Sequence, residues 1–138
     1  VEGDSMMDTL YGGDRLILCP ALSSPDRGDI VVINRYTDEP LVKRVIGVAG
    51  DTLEIDEELH RVRLNGELLD EPYVQYPTPA YDMTGEVAVP EGYVFVMGDH
   101  RNDSHDSRHQ AFARTASKHH RKKSRRCRIA NAFLPESV

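Results

Sequence analysis

The sequence predicts a mainly β fold, built from antiparallel strands in a folded sheet or partly open barrel. Between residues 15 and 97, short β-branched runs alternate with turn residues, a pattern typical of antiparallel β proteins. The chain has 138 residues, of which 39% are hydrophobic, so it can bury one core of ordinary size. We therefore expect one folded domain.

Six strands and one hairpin are predicted along the chain. The expected strands are Arg15–Leu18, Asp29–Tyr36, Leu41–Ala49, Thr52–Asp56, Arg61–Leu64 and Tyr93–Met97. Asn65-Gly66 predicts a tight hairpin that leads into Glu67–Leu69, because a type I′ turn needs a positive φ at both central residues. Glycine and proline predict turns at residues 12–14, 24–28 and 90–92, and a loop at 73–84.

The charge of the chain changes sign toward its end. Residues 1–106 hold 22 acidic residues and 8 Lys/Arg, whereas residues 107–138 hold one acidic residue and 9 Lys/Arg. Arg114–Arg128 has eight Lys/Arg and little apolar pattern, which predicts a disordered cationic segment. We therefore predict a folded domain at 1–110 and a basic tail at 111–138. Three interpretations of the tail stay open: a solvated segment, a surface for anionic lipid or nucleic acid, and the product of a shifted reading frame.

The composition gives no sign of a membrane span, a zinc site or a disulfide. No apolar run approaches the roughly 18 residues that a membrane helix needs. Cys19 and Cys127 are far apart and outside any C-x-x-C pattern. Because the candidate nucleophile Ser5 follows closely after Val1, we expect the sequence to begin inside a longer protein whose membrane anchor lies upstream.

Ser5 and Lys43 form a candidate catalytic pair. A serine hydroxyl needs a base to remove its proton, and a lysine can serve only if its pKa falls from about 10.4 toward neutrality. On a strand, Leu41, Lys43 and Val45 share one face, so the lysine stem lies between two apolar neighbours that desolvate it. Alone, each candidate has an ordinary explanation, as an exposed strand lysine and as a serine in a turn or helix cap.

The segment Gly98–Arg108 adds groups that can hold a polar site rigid, because aspartate pairs with arginine and a serine hydroxyl can orient an amine. It does not fit an EF-hand loop, since Arg101 and Ser104 occupy positions that need an oxygen ligand and a glycine. Its histidines lack the spacing of a transition-metal site, so we expect no metal ion. With Ser5 and Lys43, the segment indicates a serine hydrolase that uses lysine as its base.

Four sequence boxes, taken in order, resemble those of the bacterial type I signal peptidases. They are Ser5–Leu10 against S-M-x-P-T-L, Gly28–Val31 against G-D-I-V, Lys43–Asp51 against K-R-V-I-G-x-x-G-D, and Gly98–Arg108 against G-D-N-R-x-x-S-x-D-S-R. The resemblance covers about residues 1–110. It departs from the family at Asp8, which replaces proline, at His100, which replaces asparagine, and at a terminal I-x-G-K-A strand that is not found. The family has the signal peptidase and LexA-like type of β fold, in agreement with the fold predicted above.

The resemblance implies a role for each site residue. Ser5 would be the acylating nucleophile, and Lys43 the general base for the serine and then for the deacylating water. Ser104 would hydrogen-bond to the lysine amine and orient it, and the backbone N–H of Ser5 would hold the oxyanion. Asp106 and Arg108 would form a structural ion pair beneath the site.

The resemblance also implies a substrate and a location. Members of the family remove signal peptides from secreted preproteins after small residues, typically Ala-x-Ala, and need no cofactor. With its anchor, the protein would sit on the outer face of the bacterial cytoplasmic membrane. Met6, Met7 and Leu10 offer apolar surface for substrate or membrane lipid, and no specific nucleic acid partner is expected.

Two other functions stay open. A self-cleaving repressor of the LexA type shares the Ser-Lys dyad and a related β fold, but neither its DNA-binding domain nor its Ala-Gly cleavage loop is seen in this sequence. A catalytically impaired β-domain remnant, whose basic tail binds anionic lipid or nucleic acid, agrees with the unmatched end of the chain. Steep salt dependence of binding without hydrolysis would indicate such a remnant.

Overall fold

The computed structural model describes residues 1–17, 25–33 and 39–112. Its strands are β1 (Ile30–Ile33), β2 (Leu41–Val48), β3 (Thr52–Asp56), β4 (Arg61–Leu64), β5 (Glu67–Leu68), β6 (Val87–Ala88) and β7 (Val94–Met97). They form two antiparallel sheets, with strand orders β1-β2-β7 and β5-β4-β3-β6. The predicted mainly β, antiparallel fold is confirmed. Within the described ranges, no helix has the length and apolar character needed to cross a membrane.

Most of the predicted strands are present with similar bounds. The β3 and β4 strands match the prediction residue for residue, and the Asn65-Gly66 turn has positive φ angles of 51° and 86°. It joins β4 to β5 with Leu64 opposite Glu67. The short strand β6 was not predicted, because two residues carry too little pattern to be distinguished from a loop.

The prediction of a strand at Arg15–Leu18 is wrong for residues 15–17, the part that the structure describes. These residues pair with no described strand, and Ile17 is 93% exposed. Apolar residues alone do not form a strand, because a ladder also needs a partner and a face to bury. Leu18 and the end of the predicted strand Asp29–Tyr36, from residue 34, lie outside the described residues.

Strand β2 lies between two hydrophobic clusters. Successive side chains of a strand point to opposite faces, so Val45 and Ile46 enter different clusters. The cluster of Val45 also contains Ile33, Val94, Val96 and Phe112. The cluster of Ile46 also contains Leu53, Val62, Met83, Val87, Val89, Phe95 and Met97. Because this second cluster takes residues from both sheets, it is the core that joins them.

Gly47 allows the two sheets to approach closely at the end of β2. A Cβ atom at this position would lie 2.7 Å from Leu53 Cδ1 and 3.3 Å from Val89 Cγ2. The register between β2 and β7 shifts between Val45 and Gly47, which marks a local irregularity of the ladder. The absence of a side chain at Gly47 and the shifted register therefore allow β2 to pack closely against β3.

Phe112 belongs to the folded core, although the sequence analysis assigned it to the basic tail. It is 2% exposed and packs in the cluster of Val45. Little in the sequence indicates this burial, because a single aromatic residue next to a basic segment does not form an apolar pattern with its neighbours. The rest of the predicted tail, residues 113–138, lies outside the described residues, and its disorder stays a prediction.

We expect Phe112→Ala to lower the free energy of unfolding by about 3–5 kcal/mol, because the substitution removes a buried aromatic side chain and leaves a cavity. Leu59→Ala is the control, since Leu59 is 52% exposed and its loss should cost about 0.5 kcal/mol or less. Urea unfolding followed by circular dichroism measures both values. Equal stability of the two variants would contradict the placement of Phe112 in the core.

Candidate active site

Ser5 and Lys43, which are 38 positions apart in the chain, meet in the folded protein. Lys43 lies on β2, opposite Val31 of β1, and is 2% exposed. Its Nζ atom is 2.6 Å from Ser5 Oγ, within hydrogen-bond distance. The structure therefore brings together the two residues that the sequence predicts as nucleophile and base.

Ser5 is carried by a turned segment, residues 4–10, that precedes β1. The Met7 N–H donates to the Asp4 carbonyl at 3.0 Å, and the Met6 carbonyl accepts from the N–H groups of Thr9 and Leu10, each at 2.8 Å. These local hydrogen bonds hold the backbone around the serine. The hydroxyl of Ser5 therefore faces Lys43 from a fixed turn.

The expected contact of Met6 with substrate or membrane is wrong. Its side chain is 1% exposed and is part of the buried core, because the turn directs it inward. An unbranched thioether fills irregular core space well. Met7 and Leu10 are partly exposed and stay predicted contact residues.

Burial changes the chemistry of Lys43. Desolvation lowers the pKa of its amine to about 8, since a low-dielectric environment disfavours the charged form. The charges of Asp106 and Asp99 act in the opposite direction, and the charge of Arg108 supports the lowering. A lysine with this pKa has a large neutral fraction near pH 8 and can accept a proton.

The neighbour of Lys43 anchors the site from the other face of β2. The Arg44 guanidinium donates to both carboxylate oxygens of the buried Asp99, at 2.9 and 2.7 Å. The Thr9 hydroxyl donates to the same carboxylate at 2.5 Å. Asp99 thus ties the serine turn to β2. Thr9 and Asp99 are not among the site residues that the sequence predicts, although both lie inside the matched boxes.

Asp106 and Arg108 form the buried ion pair that the resemblance implied. Two guanidinium nitrogens donate to the two carboxylate oxygens at 2.9 and 2.8 Å, and neither side chain is exposed. Arg108 also donates to the Arg101 carbonyl at 2.8 Å. Burial alone would raise the pKa of Asp106, but the hydrogen bonds and charge of Arg108, together with the Gly98 N–H, lower it below its ordinary value.

Gly98 lets the serine turn and Ser104 pack against each other. A Cβ atom at Gly98 would overlap both the Ser104 side chain and the Ser5 carbonyl oxygen. Ser104 is buried beside the backbone of Ser5, but its hydroxyl makes no hydrogen bond to the Lys43 amine in this arrangement. The orienting role of Ser104 therefore stays a prediction.

A second group of contacts lies behind the serine turn. Arg101 is fully buried and forms an ion pair with Glu71, which sequence analysis missed because the two residues are 30 positions apart. The Tyr76 ring stacks on the His100 ring with centroids 4.4 Å apart. Glu71 and Tyr76 also line a cleft of about 370 Å³ between the 59–61 turn and the 70–78 loop. The loop is thereby attached to the segment that carries His100.

Comparison with known proteins identifies similar sequences in bacteria. A family model described as Signal peptidase, peptidase S26, matches residues 1–124. The chain is 38% identical to signal peptidase I of Bacillus caldolyticus over 129 residues, which cover 83% of this chain and 70% of the relative. It is 39% identical to signal peptidase I S of Bacillus subtilis over 120 residues, which cover 78% of this chain and 64% of the relative.

The chain spans only part of some relatives. A probable signal peptidase I-2 from Synechocystis is 38% identical over 122 residues, which cover 81% of this chain and 54% of the relative. The fold is similar to the crystal structure of a signal peptidase I from Enterococcus faecalis, with a TM-score of 0.52 and 28% identity. That similarity covers 64% of this chain and 88% of the solved chain.

We expect Asp106→Asn to lower the free energy of unfolding at pH 7 by about 3–5 kcal/mol, because it leaves the buried Arg108 charge without its partner. The pKa of Asp106 is lowered by folding, so its contribution is present above about pH 4, the unfolded pKa, and is lost as the pH falls through the folded pKa. The difference between parent and variant should therefore shrink in acid.

Urea unfolding of both proteins between pH 7 and pH 2 measures this difference. Asp103→Asn, at an exposed aspartate of the same segment, is the matched control and should change stability by about 0.5 kcal/mol or less. A difference between Asp106→Asn and the parent that does not vary with pH would contradict the assigned role of the carboxylate.

Proposed function

The chain belongs to the signal peptidase I family, peptidase S26, and on that premise we propose that it is a serine endopeptidase that removes signal peptides from exported proteins. The observation that carries the proposal is the buried Lys43 amine, 2.6 Å from the Ser5 hydroxyl. A nucleophile and a base at hydrogen-bond distance are the minimum that acyl transfer requires. This pairing also favours a working catalytic domain over an impaired remnant.

The proposed reaction proceeds through an acyl-enzyme. Neutral Lys43 takes the proton of Ser5 Oγ as the oxygen attacks the scissile carbonyl carbon. The oxyanion that forms accepts a hydrogen bond from the Ser5 N–H. The C–N bond then breaks, and the Lys43 ammonium returns the proton to the departing amine. Lys43 next removes a proton from water, which attacks the ester. The ester bond to Ser5 breaks, the proton returns to Ser5 Oγ, and the enzyme is regenerated.

The residues around Ser5 and Lys43 support this chemistry by holding the reacting groups in place. Ser104 lies beside the Ser5 backbone and would orient the Lys43 amine when substrate displaces the present hydrogen bond to Ser5. Asp106 and Arg108 hold the segment that carries Ser104. None of these steps requires a cofactor.

The proposed substrates are preproteins with small residues before the cleavage site, typically Ala-x-Ala. The proposed location is the outer face of the bacterial cytoplasmic membrane, with membrane lipid as a second partner. Since Met6 is buried, a lipid contact would involve other apolar residues of the N-terminal segment. Tyr11, Leu16 and Ile17 are exposed there and fit this role.

We expect Ser5→Ala and Lys43→Met each to lower cleavage of an Ala-x-Ala signal-peptide substrate by at least about 10³-fold. Cleavage in detergent micelles, followed by mass spectrometry, measures the effect. Lys43→Met should leave stability at pH 7 unchanged or raised, because it removes a lysine whose charged form is disfavoured by burial. Activity that survives in Ser5→Ala would refute the mechanism.

We expect kcat/KM of the parent to rise with pH and to level off above about pH 8. The pKa of Lys43 is lowered to about 8, and only its neutral form, which predominates above that pH, can act as the base. Initial rates between pH 6 and pH 10 test this, with stability measured at each pH as the control. A profile that does not change across this range would exclude Lys43 as the titrating base.

A further inference from the structure

We propose that His100 is a positioning residue that sets the direction of the oxyanion-binding N–H of Ser5, an inference that rests on the proposed function. His100 lies on the segment that follows β7, 95 positions after the nucleophile. It contacts the serine turn twice, through its backbone and through its imidazole. In the sequence, this residue is a departure from the family pattern, which has asparagine here.

Two successive carbonyl groups of the serine turn are held by this one residue. The His100 N–H donates to the Ser5 carbonyl at 3.0 Å. The His100 Nδ1 atom lies 3.1 Å from the Asp4 carbonyl oxygen. Because a carbonyl oxygen can only accept, Nδ1 carries the proton in this contact. The imidazole is therefore a second donor to the Asp4 carbonyl, beside the Met7 N–H of the turn itself, and it ties the Asp4–Ser5 peptide to a distant segment of the chain.

The planarity of that peptide transmits the contact to the active site. In a trans peptide unit the carbonyl of Asp4 and the N–H of Ser5 lie in one plane and point in opposite directions. When His100 holds the carbonyl on one side, the N–H of Ser5 is directed to the other side, away from the imidazole. Among the described residues, this N–H donates to no other group. It is available to an oxyanion in a fixed direction.

Tyr76 fixes the orientation of the imidazole. The two rings stack with an interplanar angle of 30° and a centroid separation of 4.4 Å. A stacked ring cannot rotate freely, so Nδ1 stays aimed at the Asp4 carbonyl. Since an oxyanion donor stabilises charge only when it is already oriented, this support acts on the transition state more than on substrate binding.

Two substitutions separate the donor from the bulk of the side chain. His100→Leu keeps a side chain of moderate size but removes the donor, and should lower kcat about tenfold to hundredfold with KM changed by less than about threefold. His100→Asn places its amide nitrogen the same number of bonds from Cα as Nδ1, and should retain activity within about threefold. The backbone hydrogen bond to Ser5 remains in both variants.

The matched control is His60→Asn, at an exposed histidine with a φ of 52° that asparagine tolerates. It should leave kcat and KM unchanged. A peptide aldehyde that ends in Ala-x-Ala supplies a second measurement, because its adduct with Ser5 resembles the tetrahedral intermediate. Its affinity should fall in His100→Leu by the same factor as kcat/KM, whereas affinity for the cleaved peptide acid should not change.

The outcomes distinguish this inference from the function on which it rests. His100→Leu with the kcat and aldehyde affinity of the parent would overturn the positioning role alone. Equal losses of affinity for the aldehyde and the peptide acid would also overturn it, since they would indicate general damage to the site. A parent that neither cleaves the substrate nor binds the aldehyde would overturn the proposed function, and this inference with it.

Discussion

The desolvation of one lysine is the condition on which the rest of the site depends. Lys43 can act as the proposed base only if its amine is kept from water, and two carboxylates nearby oppose the lowering of its pKa by favouring the ammonium form. Each of those carboxylates is bound by an arginine: Asp99 by Arg44, and Asp106 by Arg108. The ion pairs therefore help to keep the pKa of Lys43 low as well as stabilising the fold, because a carboxylate whose charge is balanced by an arginine stabilises a nearby ammonium less.

The β scaffold provides this environment through β2. The strand lies between two hydrophobic clusters, so side chains in its middle are buried on either face. The serine turn and the segment after β7 then close over Lys43, and Gly98 permits their close contact because it has no side chain. Three distant parts of the chain thus enclose one amine. A change in any of these parts would alter the exposure of the Lys43 amine to water and, through it, the pKa of the amine.

Orientation in the site comes from hydrogen bonds to the serine turn. Asp99 accepts from Thr9 and so holds the serine turn, while His100 holds two of its carbonyl groups. These contacts place the hydroxyl and the N–H of Ser5 on a common rigid unit. Electrostatics and positioning are therefore supplied by neighbouring residues of the same short segment, which explains why its sequence is so dense in polar groups.

The sequence by itself determined the antiparallel β class, the strands β3 and β4, the Asn65-Gly66 hairpin and the candidate pairing of Ser5 with Lys43, because these follow from local alternation, turn chemistry and box order. Only the tertiary structure decided that residues 15–17 form no described strand, that Met6 and Phe112 are buried, and that Arg101 pairs with Glu71. Burial and ion pairing depend on which distant segments meet, and that information is absent from any local pattern.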